Sequence, residues 1–104
     1  MPFSRSAFVR TRHEGPREQI NLNTAWVDGS NVYGNTEERV KALRDGDSCK
    51  LKMRKTDVGW LLPLNTDGLD MENDAHKVEL TRLHAAGDFR ANENPGLLAL
   101  HTVR

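Results

Sequence analysis

The chain has 104 residues, 37% hydrophobic and 29% charged, and its 15 basic and 15 acidic side chains give a formal net charge of zero. That length admits one small domain, and the scattered basic residues form neither a nucleic-acid surface nor a polybasic membrane patch. The longest apolar stretches, "WLLPL" and "LLAL", fall far short of the roughly 18 residues of a spanning helix, and nothing reads as a signal peptide.

An aromatic content of 6% and a mean hydropathy of −0.69 leave few large side chains to bury. A chain this small already buries a modest share of its surface, so it reads as a piece braced by other segments. Residues 10–18 are polar and aperiodic and predict a loop.

The next stretch, "REQINLNTAWVDGSNVYG" over residues 17–34, carries oxygen side chains at even spacing: Thr24, Asp28 and Ser30. With the carbonyl of Trp26 they could form a loop of hard oxygen ligands suited to calcium. Asp28 is the only acid among them, however, and Ser, Thr and Asp in a turn also serve as caps for backbone groups. Both readings stand at this point.

"NTEERVKALRDG" follows, with Asn35 or Thr36 as N-cap, Glu37 and Glu38 where the helix dipole favours acids, Val40 and Leu43 one turn apart, and Gly46 as a stop. It predicts an exposed helix. "CKLKMR" then alternates Leu51 and Met53 with basic residues, and "VGWLLPL" comes after the turn-like "KTD", a pattern that predicts a short β-hairpin ended by Pro63. Cys49 is the single cysteine, so no internal disulfide forms, and no Asn-x-Ser/Thr sequon is present.

Residues 65–74, "NTDGLDMEND", predict another loop needing outside support, and "HKVELTRLHAA" predicts a weak helix from Val78 to Leu83. Finally, "NPGLLALHTVR" has Asn94 as N-cap and Pro95 at the first helical position, with Leu97, Leu100 and His101 on one face. On such a face, His101 reads as a hydrogen-bonded core residue. Just upstream, Arg90 and Glu93 stand three residues apart, a spacing at which they can pair with each other or with neighbouring charges.

In this order and at these distances, "PREQINLNTAWVDGSNVYG", "LLPL" and "AGDFRANENPGLLALHT" resemble the animal haem peroxidases, the family that contains myeloperoxidase, thyroid peroxidase, peroxidasin and the dual oxidases. The likeness runs from Pro16 to the C-terminus, and "MPFSRS" also resembles the segment preceding it. It implies a mainly α fold, loop-rich here with a possible short hairpin, in which residues 1–104 form the central part of a peroxidase domain. Arg90 matches the distal catalytic arginine, and Glu93 the glutamate that forms an ester to haem where haem is covalently held. Asn94 departs from the methionine that makes a sulfonium link in myeloperoxidase. Thr24, Trp26, Asp28 and Ser30 match the family's calcium loop, completed there by an aspartate next to the distal histidine.

The resemblance therefore implies haem and Ca2+ as cofactors, with hydrogen peroxide and a halide, thiocyanate or phenol as substrates. Secretion is implied in the same way. None of His13, His76, His84 and His101 matches the distal or proximal histidine of the family. The expected partners are accordingly the peroxidase segments or chains that carry those histidines, without which these 104 residues should be inactive. The alternative expectation is a noncatalytic calcium-binding or interaction module derived from a peroxidase.

Overall fold

A computed structural model describes residues 7–9, 15–73 and 77–103. His13, His76 and the "MPFSRS" segment lie outside the described residues, as does most of the loop expected over residues 10–18. Chain order gives β1 (Phe8–Val9), β2 (Glu18–Gln19), α1 (Ser30–Tyr33), α2 (Glu37–Leu43), β3 (Arg54–Thr56), β4 (Gly59–Leu61), a 3-10 turn (Leu80–Arg82) and α3 (Pro95–Thr102). β1 pairs antiparallel with β2, and β3 with β4.

Local chemistry sets the helix starts. Thr36 caps α2 by accepting a hydrogen bond from the Arg39 backbone N–H, and Asn94 caps α3 by accepting one from Leu97 N–H at 2.8 Å, with Pro95 pre-set in the first turn. The expected helix over Val78–Leu83 is only the 3-10 turn Leu80–Arg82, because no capping side chain closes its start. A hairpin forms, but of "CKLKMR" only Arg54 belongs to it, Leu51 bridging Arg44 instead; its second strand ends at Leu61, before Pro63, and its turn falls at Asp57–Val58 rather than at "KTD", with Gly59 at φ 126° where a side chain is strained. Lys55 and Thr56 thereby join the first strand opposite Trp60 and Gly59.

Packing departs further from the sequence pattern. In α2 the buried pair is Leu43 and Arg39, not Leu43 and Val40. Arg39 Nη1 donates to the Ala86 carbonyl at 3.0 Å and to Met71 Sδ, while Nη2 donates to the Asp70 carbonyl. Desolvation lowers its pKa, but three acceptors hold the charge in place. Residues 65–69 support themselves: the fully buried Asn65 side chain accepts from Leu69 N–H at 2.9 Å and donates to the Leu69 carbonyl at 2.7 Å. In α3, Leu97, Leu98 and His101 are each half-buried, with Leu98 packed on the core, whereas Leu100 is 72% exposed and leaves the face expected from Leu97, Leu100 and His101. The His101 ring does find a backbone partner, the Leu97 carbonyl, at 3.0 Å.

Two small clusters make the core. One contains Leu62, Met71, Leu83, Ala86 and Ala91, and the other Leu43, Leu69 and Ala85. The radius of gyration is 16.0 Å, whereas a compact body of this length has about 13 Å. Likewise, the accessible surface is 8514 Å² against about 5,900 Å² for a compact monomer of 11.7 kDa. Trp26, Val27, Val58 and Leu100 contribute to that excess.

Candidate functional site

The segment carrying Arg90 is held by its neighbours before any ligand is considered. Asn92 clamps it to residue 84, its Oδ1 accepting from His84 N–H at 2.9 Å and its Nδ2 donating to the His84 carbonyl at 2.8 Å. Ala91 N–H returns to the Asp88 carbonyl at 3.2 Å and Glu93 N–H to the Arg90 carbonyl at 2.9 Å, giving two successive turns that lead into the Asn94 cap. Gly87 lies so close to α1 that a Cβ there would sit 2.5 Å from the Val32 carbonyl carbon and 2.7 Å from the Asn31 carbonyl oxygen. Only glycine fits that approach.

Arg90 is not paired with Glu93 in a salt bridge. Its partner is Asp88: Arg90 Nε donates to Oδ1 at 3.0 Å and Nη2 to Oδ2 at 2.8 Å, and the Arg90 backbone N–H donates to Oδ1 at 2.9 Å. The hydrogen bond from Arg90 lowers the Asp88 pKa, and the same bond raises that of Arg90. Both groups are therefore charged at neutral pH.

In the turn before α1, Ser30 N–H donates to Asp28 Oδ1 at 3.0 Å, Thr24 Oγ1 donates to Asp28 Oδ2 at 3.4 Å, and Thr24 Oγ1 accepts from Trp26 N–H at 3.1 Å. These bonds are the capping arrangement expected of such residues. They also keep Asp28 ionised, since the backbone hydrogen bond from Ser30 lowers its pKa. One carboxylate, two hydroxyls and a carbonyl are hard donors of the kind calcium takes, though fewer than its six to eight ligands. Among the described residues, no three His, Cys, Asp or Glu side chains gather to hold a metal ion.

Tertiary packing joins the two regions. Thr24, Trp26, Asp28 and Ser30 line one cleft of about 240 Å³ together with Asp88 and Arg90. Glu93 lies elsewhere, in a second cleft beside Glu72, Asn73 and Asn92. Five of the six expected site residues thus meet and the sixth does not. Neither His84 nor His101 lines the Arg90 cleft, so no described histidine stands ready there as an axial ligand or proton acceptor. For Asp88 the sequence carries a signal in "GDFR", an acid two residues before an arginine, whereas nothing in the pattern marks Gly87. The cleft is smaller than the roughly 300–1,000 Å³ usual for small-molecule sites.

The family model for animal haem peroxidases matches residues 1–104. Among curated proteins, the chain is 46% identical over 86 residues to peroxinectin A of Dictyostelium discoideum, covering 83% of this chain and 16% of that protein. It is 39% identical over 111 residues to dual oxidase 1 of Caenorhabditis elegans, covering 99% of this chain and 7% of that one. Among solved structures, peroxidase A from Dictyostelium discoideum superposes with a TM-score of 0.74 at 46% identity, covering 83% of this chain and 17% of the other. The chain therefore spans about a sixth or less of the length of these relatives. No helix among the described residues is long and apolar enough to cross a membrane.

Proposed function

The chain belongs to the animal haem peroxidase family, and on that premise we propose that it supplies one wall of the haem site of a hydrogen-peroxide-dependent oxidoreductase. The observation that carries this reading is the single cleft in which Arg90 and Asp88 meet Thr24, Trp26, Asp28 and Ser30. Arg90 is the distal guanidinium, Glu93 the carboxylate that links to haem, and the four residues of the 24–30 loop contribute calcium ligands. Haem, when bound, supplies the redox chemistry, which no side chain here can provide.

The roles follow from the side chains. The Arg90 guanidinium stays charged and planar, so it can orient a peroxide and stabilise negative charge on the departing oxygen. The half-exposed state of its side chain leaves room for that contact. Calcium at Asp28 would join the loop to oxygen ligands from another segment, because the loop alone offers too few. The exposed Trp26, Val27, Val58 and Leu100, with an accessible surface of 8514 Å² against about 5,900 Å² for a compact monomer, support packing against the rest of a peroxidase domain. Such a domain is expected in the secretory pathway or outside the cell.

Two measurements on the haem-loaded protein that carries this chain test these roles. Glu93→Gln should convert haem that survives acidified-solvent extraction into haem that is released, leaving the extracted pellet without haem absorbance; equal retention in both proteins rejects the ester. Asp28→Ala removes the only carboxylate of the loop and should weaken calcium binding by at least the roughly 10- to 100-fold seen when supporting groups of metal sites are lost. Metal analysis after dialysis reads this directly, and unchanged calcium content would remove Asp28 from the ligand set. A protein that binds calcium but neither haem nor peroxide would instead be the noncatalytic module.

A further inference from the structure

We propose that Asp88 is a positioning residue that fixes which edge of the Arg90 guanidinium faces a distal ligand, an inference that rests on the role given to Arg90 above. A guanidinium has five N–H donors in a rigid fork. Asp88 occupies one side of that fork, taking Nε at 3.0 Å and Nη2 at 2.8 Å. The same carboxylate accepts the Arg90 backbone N–H at 2.9 Å, so Asp88 holds the guanidinium at two points and ties it to the Arg90 main chain through a third. Among the described residues, Nη1 donates no hydrogen bond. That edge is the one presented to a peroxide or a small anion.

The clamp is itself anchored. Asp88 is 7% exposed, whereas the Arg90 side chain is 50% exposed, so the carboxylate belongs to the interior and the guanidinium to the cleft. Gly87, pressed against the carbonyls of Asn31 and Val32, fixes the backbone from which Asp88 projects. Without the carboxylate, a half-exposed arginine would sample several rotamers, and each would place its donors differently. Asp88 thus replaces a search among rotamers by one orientation, which is what catalysis by a fixed donor requires.

The test uses Asp88→Asn, Arg90→Gln and the double variant in the haem-loaded protein, with two readouts: the stopped-flow rate with hydrogen peroxide and fluoride affinity from the ferric haem spectrum. Asp88→Asn should slow the peroxide reaction and weaken fluoride binding by about 10- to 100-fold, the usual effect of a misplaced group. The double variant should match Arg90→Gln alone. If Asp88→Asn changes neither readout while Arg90→Gln changes both, Asp88 does not position Arg90 and the role of Arg90 survives. An Asp88→Asn loss of equal size in the Arg90→Gln background would mark a general structural effect and overturn the inference. Unchanged behaviour of Arg90→Gln would overturn the reading of Arg90 and this inference with it. Should Asp88→Asn fail to fold, a crystal structure of the unaltered haem-loaded protein decides: Nη1 turned toward the iron with Asp88 on the opposite edge supports the inference, and an Arg90 released from Asp88 refutes it.

Discussion

Arg90→Gln, in the haem-loaded protein that carries this chain, should slow the reaction with hydrogen peroxide by about 10²- to 10³-fold, the loss seen when one preorganised donor to a developing oxyanion is removed. Haem content should not change, because on the proposed reading it is Glu93, in a separate cleft, that links the haem. Glutamine retains a donor but loses the fixed charge, and it is too short to keep both bonds to Asp88. Asp88, 7% exposed, would then be a buried carboxylate without its cation, so the unfolding temperature should fall as well. Rapid-mixing spectra read the first effect and a thermal scan the second. An unaltered peroxide rate with intact haem would take Arg90 out of the chemistry.

Gly87→Ala should be the most damaging single-methyl substitution in the region. A Cβ at residue 87 would lie 2.5 and 2.6 Å from the Val32 carbonyl carbon and oxygen, and 2.7 Å from the Asn31 oxygen. All three are backbone atoms, so no rotamer change relieves the clash and either α1 or the segment before Asp88 must move. Overpacking of this kind costs about 1–3 kcal/mol, and backbone on both sides places this case near the upper end. Because α1 follows the 24–30 loop and residue 87 precedes Asp88, a shift opens the cleft from both sides. Peroxide reactivity should therefore fall together with stability to denaturant. Wild-type stability in Gly87→Ala would mean that the two segments are not in fixed contact.

Arg39 shows how little of this packing is visible beforehand. By spacing, an arginine in "EERVKAL" belongs to the solvent face of α2, yet it reaches the carbonyls of Asp70 and Ala86, residues 31 and 47 positions away. A Cβ at Gly34 would stand 2.9 Å from Arg39 Cγ, so that glycine also makes space for the buried stem. Asn65 is similar: polar and in a loop, it is nonetheless fully buried because one amide satisfies both backbone groups of Leu69.

What the sequence determined by itself is what needs only near neighbours. The Thr36 and Asn94 caps, Pro95 in the first turn of α3, the hairpin and the turns around Asp28 all depend on residues within a few positions of one another. The ordered motifs also carried the family, since their spacing survives in the chain whatever it packs against. Tertiary structure alone decided which charges are buried, and that residues 24–30 meet residues 88–90 while Glu93 turns to another cleft. Those contacts join segments about sixty positions apart through a glycine-sized gap, and a contact set by close packing leaves no period in the sequence from which to read it.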